Sequence, residues 1–221
     1  MHTEKSSTGY VGIKNLGCIC YMNSLLQQLF MIPSFRNTIL SIDDPQKGEV
    51  EEQDNLLYQL QYIFACLANS EKQYVDPKDF CNAFKDWDGQ PTNVLVQMDV
   101  DEFFNMFMDK LEGLISSSPH KKVIQDTFGG KFANELIFKD CPHYTERPEP
   151  YLAISLQVLN KKSVHESLEA FVQGELMEGD NAVNCEKCEK KVSTLKRTCI
   201  KRLPRHLILV LKRFQFDYNT M

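Results

Sequence analysis

Residues 15–30 read Asn15-Leu16-Gly17-Cys18-Ile19-Cys20-Tyr21-Met22-Asn23-Ser24-Leu25-Leu26-Gln27-Gln28-Leu29-Phe30. Tyr21, Leu25 and Leu29 recur at spacing four, as do Met22, Leu26 and Phe30, which predicts a largely buried helix closed before Pro33. The residues ahead of it are extended or turning, with Gly17 free to take positive φ. The helix then starts near Cys20. A thiol at a helix N-terminus feels the positive end of the macrodipole, which favours the nucleophilic thiolate. A nearby Asn amide can donate to a developing oxyanion. On these residues alone the reading stays open, because a cysteine near a helix start is commonly a small buried hydrophobe.

Outward from this helix, residues 41–54 hold six acids and read as a solvated loop. Leu56, Leu60, Ile63 and Leu67 make one helical stripe. From Asp101, Phe103, Phe107, Leu111 and Leu114 make another, with Phe104, Met108 and Ile115 beside it. The period then changes. Leu152, Ile154, Leu156 and Val158 alternate with small or polar residues, as in a half-buried strand. Ser163 and Glu166 form a capping-box signature for a short helix with Val164, Leu168 and Phe171 inward. The continuous apolar run Leu207–Leu211 predicts a strand covered on both faces. Helices first and strands later imply an α+β protein.

The chain has 221 residues, 43% of them hydrophobic, which is enough for a sizeable core. The net charge of −5 disfavours nucleic acid as a partner. The longest apolar runs are too short to cross a membrane, and the polar start lacks the apolar core of a secretion signal. The expected compartment is the cytoplasm or nucleus. There the eight cysteines should sort into a nucleophile, metal ligands and core thiols rather than disulfides. Cys66, Cys81 and Cys199 read as core thiols.

The stretch from Asn15 to Phe30 resembles the cysteine box of the ubiquitin-specific proteases, N-x-G-N-T-C-Y-M-N-S-x-L-Q-x-L-F, over sixteen positions. It departs from that pattern in having Cys18-Ile19 where Asn-Thr is usual. Gln97-Met98-Asp99-Val100-Asp101-Glu102-Phe103-Phe104 is similar to the family's Q-Q-D-A-x-E-F-F box, and Leu211-Lys212-Arg213-Phe214 to its L-K-R-F strand. The wording around MIPSFRN and GELMEGDNAVNCEKCEKKVSTLKR is most similar to the large fat-facets-type deubiquitinases. The resemblance implies a papain-like cysteine protease fold. Residues 1–8 would be a disordered N-terminus and 9–118 a helical thumb. Residues 119–203 would form zinc-containing β fingers, and 204–221 the start of a β palm. It makes Cys20 the nucleophile, Asn15 the oxyanion donor, and Gln97 and Asp99 contacts for the basic tail of ubiquitin. Asp99 with Glu102 also reads as a helix N-cap, and both roles can coexist.

Cys185-Glu186-Lys187-Cys188 is a C-x-x-C knuckle, which supplies two of the four ligands of a structural zinc. The family usually has a second knuckle upstream. Here Phe138 stands where its first cysteine would be, and Cys141-Pro142-His143 offers two donors instead. Cys141, His143, Cys185 and Cys188 would clip 43 intervening residues. A degenerate knuckle of buried thiols without metal is the alternative. The eight Lys or Arg between Lys187 and Arg205 read as a solvated face, since no aromatics interleave with them.

A cysteine protease also needs a base, usually an oriented histidine. None of the five histidines stands in a setting like the family's histidine box, which follows the L-K-R-F strand. The expectation is therefore an incomplete catalytic domain with weak or absent hydrolysis of its own. The leading function is a thiol-dependent deubiquitinase acting on ubiquitin and ubiquitinated proteins. The runner-up is an inactive ubiquitin-binding module, and a zinc-ribbon adaptor for nucleic acid comes third.

Overall fold

The computed structural model describes residues 4, 7–139 and 141–213. Most of the expected disordered N-terminus, and Phe214 of the L-K-R-F strand, lie outside them. The chain forms two compact units, residues 1–124 and 125–221.

The first unit is helical. A short strand β1 (Gly12–Ile13) leads into α1 (Cys20–Phe30), and Pro33 opens α2 (Pro33–Ser41) at a position where its missing N–H costs nothing. The acidic segment is an exposed loop tied down at its end, where the Asn55 amide donates to Asp44 at 2.6 Å. Asn55 caps α3 (Leu56–Asn69) by accepting from the Tyr58 amide. Strand β2 (Tyr74–Val75) pairs with β1 in parallel, and α4 (Lys78–Ala83) and α5 (Val100–Leu114) follow. The stripes on α1, α3 and α5 pack as their spacing predicts. Tyr21, Met22, Leu26, Leu29, Leu56, Leu60, Ile63, Leu67, Phe103, Phe107 and Leu111 are all buried, and Leu25, Phe30 and Leu114 are half-buried. Phe103 is the hub, in ring contact with Tyr21, Phe84 and Phe107 at centroid distances of 5.4, 5.0 and 5.7 Å.

The second unit is mostly sheet. After α6 (Val123–Phe128), strands β3 (Gly130–Phe138) and β4 (Tyr144–Tyr151) form a long antiparallel hairpin. Strand β5 (Ala153–Gln157), α7 (Val164–Gln173), β6 (Glu175–Met177), β7 (Val183–Cys185), β8 (Lys190–Val192), β9 (Thr194–Arg202) and β10 (Ile208–Lys212) complete it. The main sheet runs β4-β3-β9-β6. Ser163 caps α7 as expected, accepting from the Glu166 amide, while Glu166 itself accepts from the Lys162 amide. Leu168 and Phe171 pack inward, but Val164, in the first turn, is exposed. In the run Leu207–Leu211, Leu207 is exposed and Ile208 to Leu211 are all half-buried. Among the described residues β10 pairs in parallel with β5 alone, and only Leu209 and Leu211 turn toward Tyr151, Ile154 and Leu156.

One charge lies inside the sheet. Glu135 on β3 is buried and receives Arg197 Nε at 2.8 Å and Lys201 Nζ at 3.2 Å, both from β9. Its hydrogen bond from Arg197, aided by Lys201 against the opposing effect of burial, holds its carboxyl below the usual range. A depressed carboxylate stabilises the fold above its unfolded pKa, and that contribution is lost as pH falls through the folded value. Glu135→Gln should therefore lower stability at neutral pH and flatten the acid limb of an unfolding-versus-pH curve. In the first unit, Phe103→Ala should cost about 3–5 kcal/mol in denaturant unfolding, the usual cost of emptying an aromatic core position.

Candidate functional site

Cys20 is the first residue of α1 and is exposed, as is Cys18. No side chain caps this helix end and its first turn carries no acid, so its leading amides face an anion unopposed. Ile19, at the cap position, is fully buried and ties the loop to the core. Ahead of it, the Lys14 amide donates to Val75 at 3.0 Å, and the Lys14 carbonyl accepts from the buried Asn23 amide at 3.2 Å. Asn15 is exposed, and its side-chain carbonyl accepts from the Gly17 amide at 3.2 Å. That bond occupies the oxygen end, so the NH2 end is the one free to donate elsewhere.

Gln97 and Asp99 precede α5 and are also exposed. The Asp99 carboxylate caps α5 by accepting from the Asp101 amide at 2.7 Å. Because Tyr21 follows Cys20 directly and Phe103 lies one turn after Asp99, the Tyr21–Phe103 contact binds the starts of the two helices together. The structure thus gathers Tyr21, Gln97, Asp99 and Glu102 around one cleft of about 480 Å³, closed on another side by Phe84, Asp86 and Val96. Burial holds the Tyr21 phenol above its ordinary pKa, with Cys81 and Cys20 adding to the effect. Sequence reasoning missed Asp86 and read Glu102 only as a cap. The one available signal, Asp-Trp-Asp-Gly at 86–89, marks a turn and says nothing of what the turn faces.

The other predicted cluster is separate, within the second unit. Cys141 and His143 lie between β3 and β4, Cys185 ends β7, and Cys188 lies before β8. Their four donor atoms all fall within 4.8 Å of one another. His143 Nδ1 is 3.4 Å from Cys141 Sγ, 3.6 Å from Cys185 Sγ and 3.3 Å from Cys188 Sγ, and the Cys141 and Cys185 sulfurs are 3.6 Å apart. A four-coordinate ion held by sulfur at roughly 2.3 Å has tetrahedral edges of about 3.8 Å, so the cage fits a metal ion. A small apolar core of Phe138, Cys185 and Val192 backs it. Burial raises the Cys185 thiol, but amide donors from Cys188 and Lys187 and the neighbouring Cys141 and His143 outweigh it and bring the pKa down. Cys188 is pushed up, chiefly by Cys141 and then by burial. Thiolates this close suppress one another unless a cation sits among them.

The remaining thiols are Cys81, fully enclosed, and Cys66 and Cys199, half-buried. Burial, helped by Asp76, pushes Cys81 up to about 11, which keeps it an unreactive thiol. His165 pairs with Glu169 on α7, the His206 ring lies against Phe128, and His120 sits in an exposed turn. If the cage holds its ion, Cys185→Ser should drop bound metal well below one equivalent by elemental analysis. A strong chelator should lower the melting temperature of the parent chain but not of this variant.

Residues 11–221 match the family model described as ubiquitin carboxyl-terminal hydrolase. The chain is 40% identical over 217 residues to ubiquitin carboxyl-terminal hydrolase 24 of Mus musculus, covering 98% of this chain and 8% of that protein. It is 38% identical over 252 residues to ubiquitin carboxyl-terminal hydrolase 9Y of Homo sapiens, covering 96% of this chain and 10% of the relative. It is 34% identical over 262 residues to the probable ubiquitin carboxyl-terminal hydrolase FAF of Drosophila melanogaster, covering 98% and 9%. The chain thus spans a small fraction of the length of the curated relatives it matches.

Proposed function

Because the chain belongs to the ubiquitin carboxyl-terminal hydrolase family, we propose that it carries the thiol machinery of a deubiquitinase, acting on ubiquitin and ubiquitinated proteins. The observation that supports this most is the exposed Cys20 at the uncapped start of α1, beside the cleft that holds Gln97 and Asp99. In this reading the Cys20 thiolate attacks the carbonyl carbon of the C-terminal glycine of ubiquitin. The carbonyl oxygen becomes an oxyanion, and the Asn15 NH2 and the first amides of α1 donate to it. Collapse expels the amine, which must take up a proton, and leaves a thioester on Cys20 that water then hydrolyses. Asp99, exposed at the mouth of the cleft, meets the basic residues of the ubiquitin tail, and Gln97 positions its backbone.

The ion in the second unit is zinc in this reading, since three thiolates and an imidazole in a tetrahedral cage suit that metal. Four protein donors leave no open position, so its role is structural: it ties the β3–β4 hairpin to the knuckle. Nucleic acid is not a partner in this reading, in keeping with the acidic balance. No helix among the described residues is long and apolar enough to cross a membrane. A cytoplasmic or nuclear setting suits the eight unpaired thiols.

One observation favours a second reading, a catalytically inactive ubiquitin binder. Among the described residues of the first unit the one histidine, His120, sits in an exposed turn and makes no hydrogen bond to Cys20. A ubiquitin bearing a thiol-reactive group at its C-terminus separates the two. A covalent adduct that Cys20→Ala abolishes is the expected result. Binding without an adduct would leave only the binder, and neither binding nor adduct would overturn both readings.

A further inference from the structure

Resting on the reading of Cys20 as nucleophile, we infer that the turn Asn93–Val96 is the brace that sets the position of the Cys20 loop. The Val94 carbonyl is its point of contact, and Asn93 and Gly17 are its positioning residues. Residues 14–20 are held at two ends. One end is Lys14, fixed by Val75 and by Asn23. The other is Cys18, whose amide donates to the Val94 carbonyl at 2.7 Å. Gly17 lies flat against that same carbonyl. A Cβ added there would run into the Val94 oxygen, and a backbone atom cannot swing aside as a side chain can.

The brace is itself fixed to the core. The Thr92 amide donates to the Cys81 carbonyl at 3.0 Å, and the Thr92 hydroxyl donates to the Phe84 carbonyl at 3.2 Å. Asn93 then folds the chain back. Its side-chain oxygen accepts from the Leu95 amide at 3.0 Å, and its carbonyl accepts from the Val96 amide at 3.1 Å. Those two bonds bracket Val94, the residue that meets Cys18. A continuous run of hydrogen bonds thus leads from α4, through Thr92 and the Asn93 turn, to the peptide two residues before Cys20. The same turn supplies Val96 and Gln97 to the cleft. One short segment therefore sets both the loop that carries the thiol and part of the wall that faces the incoming tail. Misplacing a reacting group by about 1 Å can cost on the order of a hundredfold in rate. The bonds that lead from α4 to Cys18 are made by main-chain groups and by the neutral side chains of Thr92 and Asn93.

The test compares Asn93→Ala, Asn93→Asp and Gly17→Ala in the 221-residue chain. The readouts are hydrogen exchange of the Cys18 amide and the kinetics of adduct formation with the ubiquitin electrophile. Asn93→Ala and Gly17→Ala should speed Cys18 exchange and lower the saturating adduct rate about tenfold. In Asn93→Ala the half-saturating concentration should rise as well, because the same turn walls the cleft, while its melting temperature should stay near that of the parent. Asn93→Asp, which keeps the acceptor for Leu95, should restore both readouts. Unchanged Cys18 exchange and unchanged saturating rate in Asn93→Ala would overturn the brace, even if Gly17→Ala failed to fold. If the parent chain forms no adduct, the nucleophile reading fails on its own. The brace is then decided by exchange alone, and unchanged exchange in Asn93→Ala overturns it.

Discussion

The packing of Tyr21 on Phe103 is the constraint on which the first unit turns. An edge-to-face ring pair is worth roughly 0.5–1.5 kcal/mol beyond its buried area, and here Phe103 also stacks on Phe107 and meets Phe84. The position of the contact matters more than its energy. Both rings sit one residue to one turn inside a helix start, so the pair fixes where two N-termini lie relative to each other. Cys20 and Asp99 inherit that relation. Had the same rings met near the helix C-termini, the stability would be similar and the two polar residues would be placed by loops alone.

The two clusters are made in opposite ways. At the donor cage, side chains do the work, and their chemistry is visible in any listing of cysteines and histidines. At the Cys20 loop, main-chain groups do most of it: Val75, Lys14 and Val94 act through their peptide units. The side chains of Asn15, Asn23, Thr92 and Asn93 add to these, each by bonding a main-chain group.

That contrast explains what could be read beforehand. The stripes of α1, α3 and α5 were legible because each helix buries one face. The clustering of Cys141, His143, Cys185 and Cys188 was legible because such donors are few and unlike their surroundings. The hairpin of β3 and β4 was not. Tyr144-Thr145-Glu146-Arg147-Pro148-Glu149-Pro150-Tyr151 has two prolines and three charges, which argues against a strand. It is tolerated because β4 is the edge of the sheet, where an absent N–H and polar side chains meet solvent. The run Leu207–Leu211 suggested a fully buried strand, whereas both faces of β10 are half-buried and β5 is its one partner among the described residues. The contact between Val94 and Cys18 left no trace in residue types, since any non-proline residue at 18 offers the same N–H. Gly17 does take the positive φ expected of it, and in addition its missing Cβ leaves room for a carbonyl that the residue types did not announce.

The pairing of Glu135 with Arg197 has a consequence for the metal cage. The two residues lie directly opposite in the ladder between β3 and β9. A slip of one residue would shift the strands by about 3.3 Å and turn Glu135 to the opposite face without its partner. Strand β3 leads to Cys141 and His143, and β9 follows the knuckle that carries Cys185 and Cys188. The same slip would thus part the two halves of the cage by nearly the 3.3 to 3.6 Å that separates His143 from Cys188 and Cys185, and Cys141 from Cys185. A buried carboxylate six residues before Cys141 therefore acts as the gauge block for the spacing of the four donors.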